Sequence, residues 1–388
     1  MKFTVLLPTR NRLALLKYAV ETVRRQNYSD WEIIISDNAS EEDIEGFVDS
    51  LSDSRIKYIR TEQFIPVTAN WNNALAHATG DYILMLGDDD GLLRDYFQSA
   101  RALIQTFSYP ELVLTDALLY AYPGVIPEHP EGFLQIGFGA FFSERTEPYM
   151  VSREAALVAV QNAMNFRISY QFNMQYSLIS RSLVQRASRI GPFFQSPYPD
   201  YYASNTNLLL ADTILAVPKP MVCIGISRQS FGYYFFNHRQ EEGARLLNDN
   251  LTDPAWHFVE DKVLPGSQLY SCWLAAVEMV RRNFPDQHDL KVDYARYRML
   301  QLIYLLRYGD PKSRTQVIAA LRGLERAKYL LLLALTSLVR TLSSRGERLL
   351  TGRLEHWISP LPNADTRVRP VPWQNMLDVF ERATPEYY

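Results

Sequence analysis

Apolar positions in the first 120 residues follow two alternating rhythms. Lys2 to Leu7 is a short apolar run ended by Pro8, which predicts a buried strand, and Leu13, Leu16, Val20 and Val23 follow at helical spacing. Trp31 to Ser36 is a second β-branched run, broken by Asp37-Asn38-Ala39-Ser40, and Ser40 with Asp43 three residues on suits a helix start. Arg55 to Ile59 predicts a third strand, Pro66 to Ala78 a helix, and Tyr82 to Leu86 a fourth strand closed by Gly87-Asp88-Asp89-Asp90-Gly91. Leu92 to Ile104 returns to helical spacing, and Glu111 to Leu114 is extended. Strands alternating with helices imply βαβ units and a mostly parallel sheet flanked by helices, an α/β class that binds ligands beyond the carboxyl ends of its strands.

The pattern loosens from Tyr122 to Tyr149 into Pro, Gly and Phe, which predicts a long loop or lid. Val151 to Ala163 predicts a helix, Met174 to Ile179 a strand, Pro199 to Leu210 a helix, and Thr213 to Ile226 two short strands around Pro218 and Pro220. After Trp256 the spacing is helical to about residue 350, and Pro360 to Tyr388 reads as a Pro-rich surface tail. The expected division is therefore 1–230, 231–359 and 360–388.

Composition narrows the class. Of 388 residues, 47% are hydrophobic and 21% charged, which fits a globular chain with a sizeable core and excludes a mainly disordered one. A formal charge of −3 argues against wholesale nucleic-acid binding. Two cysteines, Cys223 and Cys272, make no disulfide framework, and the longest apolar stretch, Tyr329 to Val339, is shorter than the roughly 20 residues of a membrane span. A cytoplasmic protein is the expectation. Charge is uneven: residues 281–353 carry 15 basic and 6 acidic side chains, whereas residues 1–280 carry 22 and 32.

Three adjacent carboxylates, Asp88, Asp89 and Asp90, just after a buried strand repel one another and call for a counter-charge. Mg²⁺ or Mn²⁺ suits this, because it takes one or two carboxylates and fills its other positions with phosphate oxygens and water. The plain alternative is a solvated acidic turn capping the next helix. Asp37 closes the second strand on the same sheet edge, where it can accept from a base or ribose hydroxyl or cap the helix after Ser40. Arg10 and Arg12 close the first strand as phosphate contacts or surface residues. Asn70, Asn72 and Asn73 read a nucleotide or end a turn.

These segments in this order, VLLPTRNR, IIISDNAS, NWNNALAHATGDYILMLGDDD and PYPDYYASNTNLLL, resemble the family-2 glycosyltransferases of the GT-A fold over about residues 1 to 230. The resemblance implies a Rossmann-like GT-A domain followed by a mainly helical C-terminal region, a nucleotide-sugar donor such as a uridine diphosphate sugar, and Mn²⁺ or Mg²⁺. It implies that Pro8, Thr9 and Arg10 form the base-binding edge, that Asp37 reads the base or ribose, and that Asp88 and Asp89 lie near the sugar and ribose. By the same resemblance Asp90 is the main metal ligand, with His238 a further ligand. Inversion needs a base opposite the leaving group, and Asp200, behind Pro199 at a helix start, is the candidate; its alternative is a first-turn Asp favoured by the helix dipole. Relatives with Glu-Asp at this place have an acid where this chain has Pro199.

On the acceptor side, the aromatic clusters 133–142, 193–202 and 231–236 are expected to enclose a groove for a glycan or lipid-linked acceptor. The basic C-terminal helices read as a packed bundle or as a peripheral contact with an anionic membrane. Two rival functions are a nucleotidyltransferase, disfavoured because PTRNR lacks a Gly-rich phosphate loop, and a non-catalytic glycan binder on the same fold, disfavoured by the intact acidic triad. Oligomeric state is not legible in the sequence.

Overall fold

The computed structural model describes residues 1–127, 129–136, 145–167, 172–236, 242–243, 254–285, 290–308, 311–321, 323–342 and 367–384. β1 (Phe3–Thr9), β2 (Trp31–Asp37), β3 (Ile56–Arg60) and β4 (Tyr82–Met85) are linked by α1 (Leu13–Arg24), α2 (Ile44–Ser50) and α3 (Val67–Ala76). β1 pairs in parallel with β2 and β4, and β2 with β3, so Thr9 sits opposite Asp37 and the turn after β4 opens on the same edge. That edge carries the candidate chemistry, as strand polarity in βαβ units requires.

Both faces of the sheet are covered at its centre, so β1, β2 and β4 are mainly apolar and buried, whereas edge strand β3 is part-exposed. Phe3, Val5 and Leu7 of β1 join Ile33 and Ile35 of β2 in one core with α1, whereas Leu6 and Ile34 enter the other. The second core receives α5 (Arg153–Met164), α6 (Arg181–Ser188), α7 (Pro199–Leu210) and α9 (Gln268–Asn283). The α/β class, the parallel start and the helical C-terminal region are thus as the sequence pattern implies.

Several element boundaries differ for identifiable reasons. The run after the acidic turn is not helical from Leu92: Gly91 and Leu92 form a short strand, β5, and α4 (Tyr96–Thr106) begins after Asp95, whose φ is 60°. β6 (Leu112–Ala121) is far longer than Glu111 to Leu114. β10 (Ile214–Ile226) is one strand, parallel to β6, with its register shifted around Pro220; prolines lack the N–H that a regular ladder uses. The stretch 122–149 contains β7 (Phe133–Ile136), antiparallel to β6, and the start of β8 (Tyr149–Val151), antiparallel to β10. Residues 174–176 form a single 3₁₀ turn, and β9 (Ser177–Ser180) inserts antiparallel between β4 and β6.

Beyond α7 and β10 come α8 (Phe231–Phe236), α9, α10 (Tyr294–Tyr308), α11 (Pro311–Ala320) and α12 (Gly323–Leu342). The last described segment adds β11 (Arg367–Pro370), antiparallel to β7, and α13 (Met376–Arg382), which packs on α1 and β5. Among the described residues no helix is long and apolar enough to cross a membrane.

Candidate active site

A cavity of about 610 Å³ opens over the carboxyl edge of β1, β2 and β4, within the range of small-ligand pockets. Pro8, Thr9, Arg10, Asn70, Asp88, Asp89, Asp90 and Asp200 all line it. Asp37 is not among the lining residues, although its neighbour Asn38 is. His238 lies outside the described residues.

Each carboxylate of the acidic turn is tied to a different part of the chain. Asp88 accepts from Thr9 Oγ1 and from Arg12 Nη1, both at 2.8 Å. Arg12 also donates to the Gln229 carbonyl, so it joins the β1 loop, the acidic turn and the loop after β10. Asp89 accepts from Ser227 Oγ at 2.8 Å, and its carbonyl accepts from the Tyr122 hydroxyl at 3.2 Å. Asp90 accepts from the backbone N–H groups of Gly87 and Gly225 and from Gln175 Nε2, at 2.8, 2.8 and 2.7 Å. Gln175, Gly225 and Ser227 thus belong to the site, and motif reading around the triad does not find them.

The electrostatics show too little positive charge for this many acids. Burial works against the Arg12 charge, but Asp88, Asp89 and Asp90 outweigh it and leave its pKa raised. Burial pushes Asp89 up to about 6, and burial together with Asp89 pushes Asp90 up to about 7. Desolvated neighbouring carboxylates give up their protons at higher pH than free ones, because neither water nor enough counter-charge supports the anions. Among the described residues no three His, Cys, Asp or Glu side chains form a cation cage. Two under-compensated carboxylates facing an open cavity nevertheless fit Mg²⁺ or Mn²⁺, provided that ligand phosphates complete the coordination.

Asp200 lies in the first turn of α7, behind Pro199 at the first helical position, where a missing N–H costs nothing. Its Oδ1 accepts from the Tyr201 N–H at 3.1 Å, and burial pushes its pKa to about 7. A carboxylate in this environment titrates near neutrality and can take a proton from a hydroxyl.

Asp37 is fully buried and occupied: it accepts from the Ser40 N–H, the Tyr58 hydroxyl and Arg60 Nη1 at 2.9, 2.8 and 2.9 Å. In this geometry it organises the loop behind Asn38. Asn70 exchanges hydrogen bonds with Ser36 at 2.7 and 3.1 Å, which fixes α3 against the end of β2. The Arg10 guanidinium lies 3.7 Å from the Phe64 ring centre and donates to the carbonyls of Asn38 and Ala39, giving one wall of the cavity a flat, positively charged face. Of the expected aromatic clusters, Phe231 lines the cavity with Phe64 and Trp71. Phe193, Phe194 and Tyr202 are core residues, and 137–142 lie outside the described residues.

The N-terminal part of the chain is similar to known glycosyltransferases. The GalNAc(5)-diNAcBac-PP-undecaprenol beta-1,3-glucosyltransferase of Campylobacter jejuni is 39% identical over 95 residues, 24% of this chain and 31% of that protein. The UDP-Glc:alpha-D-GlcNAc-diphosphoundecaprenol beta-1,3-glucosyltransferase WfgD of Escherichia coli is 30% identical over 87 residues, 22% of this chain and 34% of that protein. The chain therefore spans about a third of the length of these two relatives. The crystal structure of S. aureus TarS 1-349 superposes with a TM-score of 0.48 at 15% identity, covering 82% of this chain and 90% of TarS 1-349, a loose likeness. The family model "Glycosyl transferase family 2" matches residues 4–109. The segment that carries Thr9, Arg12 and all three carboxylates of the acidic turn is therefore a glycosyl transferase family 2 domain.

Proposed function

We propose that this chain is an inverting glycosyltransferase that moves a sugar from a nucleotide diphosphate sugar, with UDP as the preferred nucleotide, to a hydroxyl of a lipid-linked or glycan acceptor. The single observation that carries the reading is the placement of Asp200 in one cavity with Asp88, Asp89 and Asp90. The undecaprenol-linked acceptors in the names of the two relatives support the lipid-linked class. In this reading the basic stretch 281–353 contacts an anionic membrane surface peripherally, and the protein acts at the inner membrane face.

The chemistry follows from charge. As the bond from the anomeric carbon to the diphosphate oxygen breaks, negative charge grows on the leaving group and positive charge on the sugar ring. Mn²⁺ or Mg²⁺ bound at Asp90 and the diphosphate would supply charge stabilisation to that leaving group. Arg12 holds Asp88 in place, Gln175 and two backbone N–H groups orient Asp90, and the Arg10–Phe64 wall offers a face to the base. Asp200 takes the acceptor proton while the acceptor oxygen bonds to the anomeric carbon from the side opposite the diphosphate. One bond forms, one breaks, and the proton on Asp200 passes to solvent.

The test is incubation of the native chain with a panel of nucleotide sugars, Mn²⁺ and a polyprenyl diphosphate-linked sugar. Donor-dependent release of nucleoside diphosphate together with an elongated, anomerically inverted product is expected. Absence of transfer from every donor, with unhydrolysed donor still bound, favours the glycan-binder alternative.

A further inference from the structure

The segment 367–383 is far from the acidic turn in sequence and lies outside residues 4–109, yet it abuts that turn in the fold. Val371, Trp373, Met376 and Val379 are buried in one cluster with Leu93, Tyr120, Tyr122 and Cys223. Met376 fills the space beside Gly91, the residue after Asp90: a Cβ built on Gly91 would lie 2.5 Å from Met376 Cγ. Arg94, just beyond β5, donates to the carbonyls of Phe380 and Glu381 at 3.0 and 2.8 Å, and Arg25 pairs with the Glu381 carboxylate at 2.7 Å.

A second line of contact reaches the turn from behind. The Tyr120 hydroxyl donates to the Trp373 carbonyl at 2.6 Å, the Tyr120 ring lies 4.8 Å from the Tyr122 ring, and the Tyr122 hydroxyl donates to the Asp89 carbonyl. The segment is also organised in itself: Asn375 caps α13 by accepting from the N–H groups of Leu377 and Asp378, and β11 is held on β7. The turn thus has the cavity on one side and this strap on the other.

We infer that residues 367–383 are a positioning element for the acidic turn, acting through Met376 on Gly91 and through Tyr120 and Tyr122 on Asp89. The inference rests on the proposed transferase reading for its consequence, weaker nucleotide binding, but not for its physical content. The hydrogen bonds to the three repelling carboxylates fix their oxygens, and the packed backing of Met376 against Gly91 fixes the backbone that carries them.

Hydrogen–deuterium exchange on the full chain tests the inference, with Met376→Ala, Met376→Leu, Tyr122→Phe and, as a control of similar structural cost, Leu305→Ala in the separate cluster of α10 and α11. In Met376→Ala the peptide covering 86–93 is expected to exchange about tenfold faster, as a locally loosened segment does, and the Kd for UDP with Mn²⁺ to weaken about tenfold. Met376→Leu should restore both, and Leu305→Ala should move neither. Tyr122→Phe, which removes a single hydroxyl and serves if Met376→Ala does not fold, should loosen the same peptide. Exchange at 86–93 within twofold of native in Met376→Ala, or in Tyr122→Phe where that variant stands in, overturns the inference. If the native chain binds no nucleotide, the transferase reading fails, and exchange at 86–93 still decides this one.

Discussion

Gly225→Ala probes the site without touching a charged group. Gly225 lies in β10, opposite Tyr120 of β6, and its N–H holds Asp90. A Cβ at this position would stand 1.9 Å from the Asp89 carbonyl oxygen and 2.8 Å from its carbonyl carbon, both backbone atoms that no rotamer change can clear. Ordinary contact begins at 3.4 Å, so β10 and the acidic turn must separate by about 1.5 Å, the difference between 3.4 and 1.9. Overpacking of this kind costs about 1–3 kcal/mol, and a shift of ~1 Å in a reacting geometry costs about 10²-fold in rate. The assay pairs differential scanning fluorimetry with donor turnover. Gly225→Ala should fold, melt several degrees lower and lose roughly two orders of magnitude in kcat/KM. Gly232→Ala is the control, because the same cavity is involved but the nearest atoms, from Ile226, are at 3.5 Å. Turnover of Gly225→Ala within twofold of native would refute the claim that backbone packing behind Asp89 and Asp90 sets their geometry.

Three further outcomes are expected. The rate should rise with pH through about 7 and then level, because Asp200 must be deprotonated to accept the hydroxyl proton; a kcat profile flat from pH 5.5 to 8 would contradict this. Arg12→Met leaves Asp88 with Thr9 alone and severs the link to Gln229, so stability should fall by about 3 kcal/mol in chemical denaturation; an unchanged midpoint would show that the pair contributes nothing. In calorimetry with UDP, Mn²⁺ should tighten binding to the native chain and have no effect on Asp90→Ala, whereas equal Mn²⁺ dependence in both would remove Asp90 as the metal-facing carboxylate.

What the sequence revealed follows the range of its signals. The βαβ alternation and the Asp88-Asp89-Asp90 turn are local, and the structure carries them at the strand edge where parallel order puts them. α7 begins at Pro199 and ends at Leu210, as its proline start and apolar end imply. Gln175, Ser227 and the Tyr122 hydroxyl reach the turn from 85, 138 and 33 residues away, and such pairings depend on strand order, which hydrophobic period does not encode. One signal was present in the sequence: Gly225 stands alone between Ile224 and Ile226, and an isolated glycine in a strand pattern marks close backbone approach. Asp37 was legible as a strand-end acid but not as one engaged by Tyr58 and Arg60, because its partners come from the register of β2 against β3. The Pro-rich end looked like surface because its apolar residues Val371, Trp373, Met376 and Val379 have a partner face only once β5 and β6 are assembled.

The most direct test of the central claim is single-turnover transfer by Asp200→Asn beside the native chain, with UDP affinity measured on the same samples. Transfer should drop by about 10²–10⁴-fold while the Kd for UDP stays within a few-fold of native, because this carboxylate takes the proton and does not hold the nucleotide. Transfer at the native rate by Asp200→Asn would contradict the account.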